Sequence, residues 1–344
     1  MKIGIIGSPL KDGNKTRGVG FYTKNLYENL KNTELITSYQ LPVTSYNLIH
    51  YPFFDPFSPT LKIFKTPTIV TVHDLIPIQF KKHFPVGIRG TINWYRQLFN
   101  LRKATAIITV SNYSKKIIHQ LTKIPLQKIH VTYLAPDKFS RPVTDQKILK
   151  KIKDKYKLPE KFILYVGDIN WNKNIPALVK MCQKLKYPLV IVGSAATKKD
   201  VPNHPWTRDL LWLQKESVIA RNEETKQSRW NLILAGFVPD EDLSAIYSLA
   251  TIYCQPSHAE GFGLPPLQAM ACACPVICNL QTSLKEIYGK YCLSFTQENL
   301  KKLWNNSTLR SKYSQIGLNY SKNFSWKKTA QKTLEIYEKY QKTK

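Results

Sequence analysis

Short, continuously apolar segments recur along this chain of 344 residues and alternate with segments of helical periodicity. Runs of this length, rich in isoleucine and valine, are typical of strands that are buried on both faces of a sheet. Strands that alternate with helices form parallel sheets with right-handed crossovers. The sequence therefore predicts an α/β fold with strands at 3–6, 48–51, 68–72, 106–110 and 129–133, and again at 162–166, 189–192, 232–234, 252–254 and 276–278.

The alternation stops between residues 135 and 158, where the chain is polar and rich in lysine. We interpret 136–144 as a linker between two Rossmann-like domains and 145–156 as a surface helix. Parallel sheets bind ligands beyond the carboxyl ends of their strands, so two such domains facing each other predict a site in the cleft between them. The predicted bounds are 1–142 and 143–318, followed by a C-terminal helical segment at 319–344.

Composition excludes several classes of protein. Hydrophobic residues make up 43% and charged residues 22% of the chain, which are globular values and argue against a disordered or fibrous protein. No apolar stretch is long enough to span a bilayer. The first residues are typical of a strand and too short for a secretory signal, so we expect a cytoplasmic protein.

The formal net charge of +28 has two explanations. In the first, the charge attracts the chain to an anionic surface, either lipid or nucleic acid. In the second, the composition is biased towards lysine without a function. The lysines are scattered along the chain and outnumber the arginines, which are the better residues for bidentate phosphate contacts. We therefore expect bias with a mild affinity for anionic membranes, and no nucleic-acid partner.

Six cysteines are present, three of them as C-x-C-x3-C. Their neighbours are apolar and no recognised metal-ligand spacing occurs, which favours buried thiols and predicts no metal site. They are Cys182, Cys254, Cys272, Cys274, Cys278 and Cys292.

The segment SHAEGFGLPPLQAMACACPVI, at 257–277, holds the most informative motif. A predicted strand ends in a loop with two glycines, and a helix follows. Glycines before a helix let the backbone approach an anion, and free N–H groups there bind phosphate. Glu260 lies in this loop, where its carboxylate can accept hydrogen bonds from sugar hydroxyls, and Gln268 follows on the helix. A plain strand-turn-helix corner is the alternative reading.

Three further segments carry candidate site residues. In YVGDINWNKNIP, at 165–176, Lys173 precedes a predicted helix and is suited to a diphosphate, where negative charge grows on the leaving group. In TVHDLIP, His73 follows a predicted strand at its carboxyl end, with Asp74 next to it. In RGVGFY, at 17–22, Gly18 and Gly20 follow the first strand and precede a helix predicted at 23–30, and Arg17 adds charge. For each, a structural or surface role is the alternative.

These motifs, taken in order, resemble those of the family-4 (group 1) retaining glycosyltransferases, and the resemblance covers nearly the whole chain. The stretch at 257–277 is similar to the family's E-x7-E signature. The resemblance implies two facing Rossmann-like domains (the GT-B fold), with the first on the acceptor side, the second binding the nucleotide sugar, and the last helix crossing back to the first domain. It also implies hexosyl transfer from a nucleotide diphosphate sugar, with no metal and no further cofactor.

The resemblance further implies roles for particular residues. Glu260 would contact the hydroxyls of the donor sugar, His73 would lie beside that sugar, and Lys173 would meet the diphosphate. Gln268 stands where the family has a second glutamate for the ribose, and an amide lacks the charge-assisted strength of a carboxylate. Asp168 stands where the family has an arginine. The implied donor-binding set is Gly18, Gly20, Gly167, Asp168, Asn172, Phe237, Val238, Phe262, Gly263, Leu264 and Gln268.

The sequence leaves the donor open between GDP-mannose and a UDP-hexose, with the lysine motif favouring GDP-mannose. The expected acceptor is a hydroxyl of a glycan or a lipid-linked molecule, in polysaccharide biosynthesis. Two other functions remain open: a nucleotide-sugar 2-epimerase of the same fold, and a nucleotide-sugar-binding protein with a degraded site.

The segment 88–103, IRGTINWYRQLFNLRK, mixes aromatic and aliphatic residues with four basic ones. Such a helix can dock on anionic lipid, which would make the protein peripheral on the inner face of the cell membrane. An ordinary amphipathic helix packed on the sheet explains the same pattern.

Overall fold

The computed structural model describes residues 2–10, 18–31, 33–36, 45–222 and 231–341, which form two compact units. The first unit contains the described residues up to Ala135 together with those from Phe324 onwards. The second runs from Pro136 to Asn323. The predicted bounds at 142 and 319 are close in sequence to the ends of the second unit.

The first unit is built on a parallel sheet of six strands in the order β2-β1-β3-β4-β5-β6. Four of its strands are buried along their whole length, as expected for a sheet covered on both faces. The strands are β1 (Ile3–Ile6), β2 (Thr33–Ile36), β3 (Leu48–Tyr51), β4 (Thr68–Thr71), β5 (Ala106–Thr109) and β6 (Ile129–Val131). The helices between them are α1 (Gly18–Asn29), α2 (Ile76–Gln79), α3 (Gly87–Lys103) and α4 (Asn112–Thr122).

The second unit repeats the architecture with a parallel sheet in the order β12-β11-β10-β7-β8-β9. Its strands are β7 (Ile163–Val166), β8 (Leu189–Val192), β9 (Leu232–Gly236), β10 (Ile252–Gln255), β11 (Val276–Cys278) and β12 (Leu293–Ser294). Its helices are α5 (Gln146–Tyr156), α6 (Ile175–Leu185), α7 (Arg208–Asn222), α8 (Asp240–Leu249), α9 (Leu264–Ala271), α10 (Thr282–Tyr288), α11 (Gln297–Asn305) and α12 (Ser307–Ser321). The α/β prediction with two Rossmann-like sheets is confirmed.

The last helix, α13 (Trp326–Tyr340), packs within the first unit. The ring of Trp326 meets the edges of Phe21 and Tyr22 on α1 at centroid distances of 5.7 and 6.0 Å. Thr329 Oγ1 donates to the carbonyl of Tyr133 at 2.7 Å. The buried residues of α13 recur at helical spacing, so this helix is held by one face.

Two predictions about the secondary structure need correction. The helix predicted at 23–30 begins at Gly18, so Gly18 and Gly20 lie in the first turn of α1 and not in a loop before it. The edge strands β2 and β12 were missed, because β2 has only one fully buried residue and β12 is two residues long. Arg17, a candidate for added charge beside Gly18, lies outside the described residues.

The cysteines were predicted to be buried thiols. All six cysteines are free and buried. Burial raises the pKa of the Cys272 thiol to about 12, so this thiol is uncharged at neutral pH. Among the described residues, no cluster of histidine, cysteine and carboxylate side chains is suited to hold a metal ion.

Candidate active site

A buried carboxylate is the centre of the site in the second unit. Glu260 lies in the loop between β10 and α9, and its side chain is 9% exposed. Its Oε1 accepts hydrogen bonds from Ser257 Oγ at 2.7 Å and from Gln255 Nε2 at 2.9 Å. Buried carboxylates require such donors, because an ionised oxygen that leaves water without replacement is costly.

Lys173 supplies the countercharge. Its Nζ lies 2.8 Å from both carboxylate oxygens of Glu260, and its side chain is 20% exposed. The two residues are 87 positions apart, so the fold alone brings them together. The sequence assigned the lysine to a diphosphate and the glutamate to a sugar, whereas the structure pairs the two side chains directly.

The turn that carries Lys173 is fastened to the loop that carries Glu260. Lys173 ends a 3-10 turn between β7 and α6, and Asn174 follows with φ at 53°. Asn172 Nδ2 donates to the carbonyl of Ala259 at 3.0 Å, and Asn174 Nδ2 donates to that of Pro256 at 3.1 Å. The turn is therefore fastened to the Glu260 loop by the side-chain amides of the two residues that flank Lys173. Asn172, predicted as a donor contact, is buried and serves this connection.

Gly263 begins α9 with a left-handed backbone. Its φ is 84°, and a Cβ built on it would lie 2.5 Å from Leu284 Cδ2. The Tyr288 hydroxyl donates to its carbonyl at 2.6 Å, which fixes the turn. The predicted glycine turn before a helix is present here, with the backbone of Leu264 in the first turn of α9 and Phe262 buried beside it. Pro265 and Pro266 have no N–H, so the donors that this helix start offers to an anion are those of Gly263 and Leu264.

Gln268 has an unexpected partner. Its Nε2 donates to Asp137 Oδ2 at 3.0 Å, while Asp137 Oδ1 accepts from the backbone N–H groups of Phe139 and Ser140, each at 2.7 Å. The carboxylate of Asp137 therefore lies beside Gln268, the position at which the family signature has a glutamate. Sequence reasoning missed Asp137 and Gln255. The only local signal for Asp137 is the Asp-Lys-Phe-Ser turn, in which an aspartate typically caps the backbone two residues on.

The remaining candidates of the second unit differ in exposure. Gly167 ends β7 with φ at 146°, and its carbonyl leaves no space for a side chain at Gly193, where a Cβ would lie 2.4 Å away. Asp168 is exposed. Phe237 is 59% exposed and Val238 is buried, so Phe237 is the better placed of the two to meet a ligand.

His73 belongs to the first unit, as do Gly18 and Gly20. It follows β4, and its Nε2 lies 3.1 Å from the carbonyl oxygen of Pro52. A carbonyl only accepts, so Nε2 carries the proton and Nδ1 is left as an acceptor. The ring of Tyr22 packs edge-on at 4.7 Å. Burial lowers the pKa of His73 to about 4, against the effect of the Pro52 hydrogen bond, so the imidazole is neutral at pH 7. Asp74 Oδ1 accepts from Ile76 N at 3.0 Å and so shapes the following turn.

Two protein-family models match successive parts of this chain. Residues 147–302 match the model of the group 1 glycosyl transferases, and residues 16–137 match that of Glycosyltransferase Family 4. The O-antigen chain mannosyltransferase B of Escherichia coli is 31% identical over 286 residues, which cover 78% of this chain and 69% of that protein. The serotype-specific mannosyltransferase WbdA of Escherichia coli is 28% identical over 283 residues, but these cover only 33% of WbdA.

Solved structures share the fold over the whole chain. HepE of Anabaena, in complex with UDP and glucose, superposes with a TM-score of 0.73 at 14% identity and covers 98% of this chain and 99% of its own. Sucrose-phosphate synthase from Thermosynechococcus elongatus has a TM-score of 0.71 at 17% identity, with 98% of each chain covered. The matching family models and the similar mannosyltransferases identify the chain as an enzyme, a glycosyltransferase that uses a nucleotide sugar. More particularly, the chain belongs to the group 1, family-4 glycosyltransferases.

Proposed function

We propose that the enzyme transfers mannose from GDP-mannose to a hydroxyl of a glycan or lipid-linked acceptor, with retention of the anomeric configuration. The pairing of Lys173 with the buried Glu260 carries this proposal, because one side chain is suited to an anionic leaving group and the other to sugar hydroxyls. Two relatives named as mannosyltransferases support mannose over a UDP-hexose.

In the proposed reaction, the donor enters between the two charges. The ammonium of Lys173 turns to the diphosphate, and sugar hydroxyls donate to Glu260 in its place. An unpaired buried charge is expensive, so the pair separates only when the donor supplies both replacements. The ion pair would then hold the empty site in order and select for ligands that carry both a phosphate and a hydroxylated sugar.

The leaving diphosphate gains negative charge as the glycosidic bond breaks. We assign its stabilisation to Lys173, to the backbone N–H groups of Gly263 and Leu264, and to the backbone at Gly18 and Gly20. The acceptor hydroxyl attacks from the side of the leaving group, and the departing phosphate oxygen takes its proton. The sugar gains oxocarbenium character, as in glycoside cleavage.

His73 is proposed to hold the sugar through its unprotonated Nδ1, which accepts from a hydroxyl. Its low pKa makes it a weak base at neutral pH, which suits positioning better than proton abstraction. The ribose is assigned to Gln268 and the base to Phe237, with Val238 behind it. Gly167, Asp168, Asn172 and Phe262 are proposed to complete the donor site, Asn172 and Phe262 through their backbones because both side chains are buried.

The proposal includes metal-independent chemistry and a peripheral location at the inner face of the cell membrane. No helix among the described residues is long and apolar enough to cross a bilayer. A contact with the membrane would bring the enzyme to lipid-linked acceptors.

The test is a thermal-shift screen of nucleotide sugars followed by product analysis. Donor binding raises the unfolding temperature by mass action, so GDP-mannose should stabilise the enzyme more than UDP-glucose. With an acceptor present, NMR of the product should show an α-mannoside, and turnover should persist with a chelator. A free epimer in place of the glycoside would identify a 2-epimerase instead, and binding without turnover would indicate a degraded site.

A further inference from the structure

The helix α3 (Gly87–Lys103) has two apolar faces, and only one of them is explained by the fold. Trp94, Leu98 and Leu101 are buried in the core of the first unit. On another side of the same helix, Ile88, Ile92, Tyr95 and Phe99 are 82, 47, 63 and 60% exposed. Their spacing of four, three and four residues aligns them in one stripe, which we call the α3 stripe. Packing on the sheet therefore accounts for the first face and leaves the second without a function.

The α3 stripe holds most of the large hydrophobic side chains that are exposed among the described residues. The seven large hydrophobic side chains that are exposed among the described residues include all four of its members. Scattered exposed apolar residues are ordinary, but a contiguous set with polar surroundings marks an interaction surface.

An apolar groove continues the stripe on one side. It has a volume of about 460 Å³ and includes Ile88, Ile92 and Tyr95 in its walls. Phe57, Ile78 and Trp94 extend the apolar lining, and Lys81 is the only charged residue among the described residues that line the groove. A groove of this composition accepts hydrocarbon, with a cation available for a headgroup.

Basic side chains follow the other side of the stripe. Arg89, Arg96 and Lys103 are all exposed and recur every seven residues, so they lie along one line of the helix. Lys103 Nζ lies 3.8 Å from the ring centroid of Phe99. The helix contains no acidic residue, and between residues 45 and 135 the sequence has twelve lysines and arginines against two aspartates, Asp55 and Asp74. The surroundings of the stripe are therefore complementary to an anionic surface.

On the basis of the proposed peripheral location, we infer that the α3 stripe and its groove dock on an anionic lipid bilayer. The apolar side chains enter the boundary between headgroups and acyl chains, and Tyr95 lies at the level of the headgroups, where amphipathic rings are favoured. Arg89, Arg96 and Lys103 contact lipid phosphates, each contributing about fivefold to binding. The scattered lysines of the rest of the chain are not required.

The test is co-sedimentation of the full chain with vesicles of phosphatidylcholine, with and without phosphatidylglycerol. Wild-type protein should bind the anionic vesicles and bind the neutral ones much more weakly. Ile88→Ser/Phe99→Ser should weaken binding to anionic vesicles at least about tenfold. Arg89→Gln/Arg96→Gln should weaken it by a factor of about ten to thirty, two charges being removed.

The helix α5 offers a matched control, because it is also exposed and rich in lysine and carries Ile148, which is 47% exposed. Ile148→Ser and Lys147→Gln/Lys150→Gln should leave vesicle binding nearly unchanged. Equal losses for both helices, or wild-type binding by the α3 variants, would overturn the assignment. So would a dimer in solution that the α3 variants abolish while vesicles bind no protein. All variants should keep the wild-type rate with a soluble acceptor, so failure here is distinguishable from failure of the proposed mannosyl transfer.

Discussion

Lys173 Nζ stands 2.8 Å from both carboxylate oxygens of Glu260, so one ammonium neutralises the acid that two further side chains already bind. Ser257 and Gln255 both donate to Oε1, and among the described residues Lys173 is the partner given for Oε2. In the proposed reaction, a donor sugar that displaces the lysine would gain access first to Oε2.

Removing either charge should lower turnover sharply. We expect Glu260→Ala and Lys173→Ala each to reduce kcat with GDP-mannose at least about a hundredfold, because each removes a contact to the transition state. The measurement is the initial rate of GDP release in the presence of acceptor. Lys180→Ala is the matched control, since Lys180 is exposed on α6 a short distance along the chain, and it should keep the wild-type rate. Near-wild-type rates in both site variants would remove the assigned roles.

The contact between Gln268 and Asp137 should make donor affinity sensitive to a second negative charge at position 268. Gln268→Glu introduces a second carboxylate about 3 Å from the first, and two like charges at that distance raise the pKa of one of them. Donor affinity of this variant should therefore fall, although it restores the glutamate of the family signature. The double variant Gln268→Glu/Asp137→Asn moves the single charge to position 268 and should recover most of the affinity. Calorimetric titration with GDP-mannose measures both, and equal affinity in all three proteins would show that the pair does not bind donor.

Gly263 should not tolerate a side chain. Gly263→Ala places a Cβ in a left-handed backbone and against Leu284, which should lower the free energy of unfolding by about 1–3 kcal/mol. At Gly18, the added Cβ meets no atom of the described residues within 4 Å, and the residue lies in a helix, so Gly18→Ala should leave stability unchanged or slightly raised. Urea unfolding compares the two. Equal stability changes would contradict the backbone conformation of the turn.

A buried histidine should make stability depend on pH. His50 is held between Thr71 Oγ1 at 2.7 Å and the Tyr337 hydroxyl at 2.6 Å, and burial lowers its pKa to about 3, with the nearby His73 adding to the effect. A histidine whose pKa is lower in the folded state contributes stability that is complete above its unfolded pKa, about 6.5, and is lost as the pH falls. Each such group costs about 1.4 kcal/mol per pH unit below 6.5.

His50→Gln should therefore be less stable than wild type at pH 7 but lose less stability between pH 6.5 and 5. Urea unfolding at several pH values measures the two slopes. His83→Gln, at an exposed position, is the control and should keep the wild-type slope. Parallel pH dependence in wild type and His50→Gln would contradict the buried, neutral histidine.

The sequence predicted those parts of the fold that have a local signal. The buried strands are continuous apolar runs, and all ten predicted ones are present with ends shifted by at most two residues. The missed strand β2 lies at a sheet edge, where Glu34 faces solvent and interrupts the apolar pattern. The start of α1 was missed because Gly18 and Gly20 are poor helix formers, and packing of Tyr22 and Leu26 in the core overrides that preference.

The site was predictable only in its parts. Local motifs identified Glu260, Lys173 and Gly263 as site candidates, but no local pattern reports a contact between residues 87 positions apart. The same holds for Gln268 and Asp137, which are separated by 131 positions. The neutral state of His73 comes from its burial, and the assignment of its proton to Nε2 comes from the carbonyl of Pro52. Neither is visible in TVHDLIP.

The most direct measurement of the central claim is calorimetric titration of GDP and of GDP-mannose into wild type, Lys173→Ala and Glu260→Ala. We expect Lys173→Ala to lose affinity for both ligands, because both carry the diphosphate. Glu260→Ala should retain its affinity for GDP but lose the additional affinity that mannose provides in the wild type. If both variants bind GDP and GDP-mannose as the wild type does, Lys173 and Glu260 do not form the donor site.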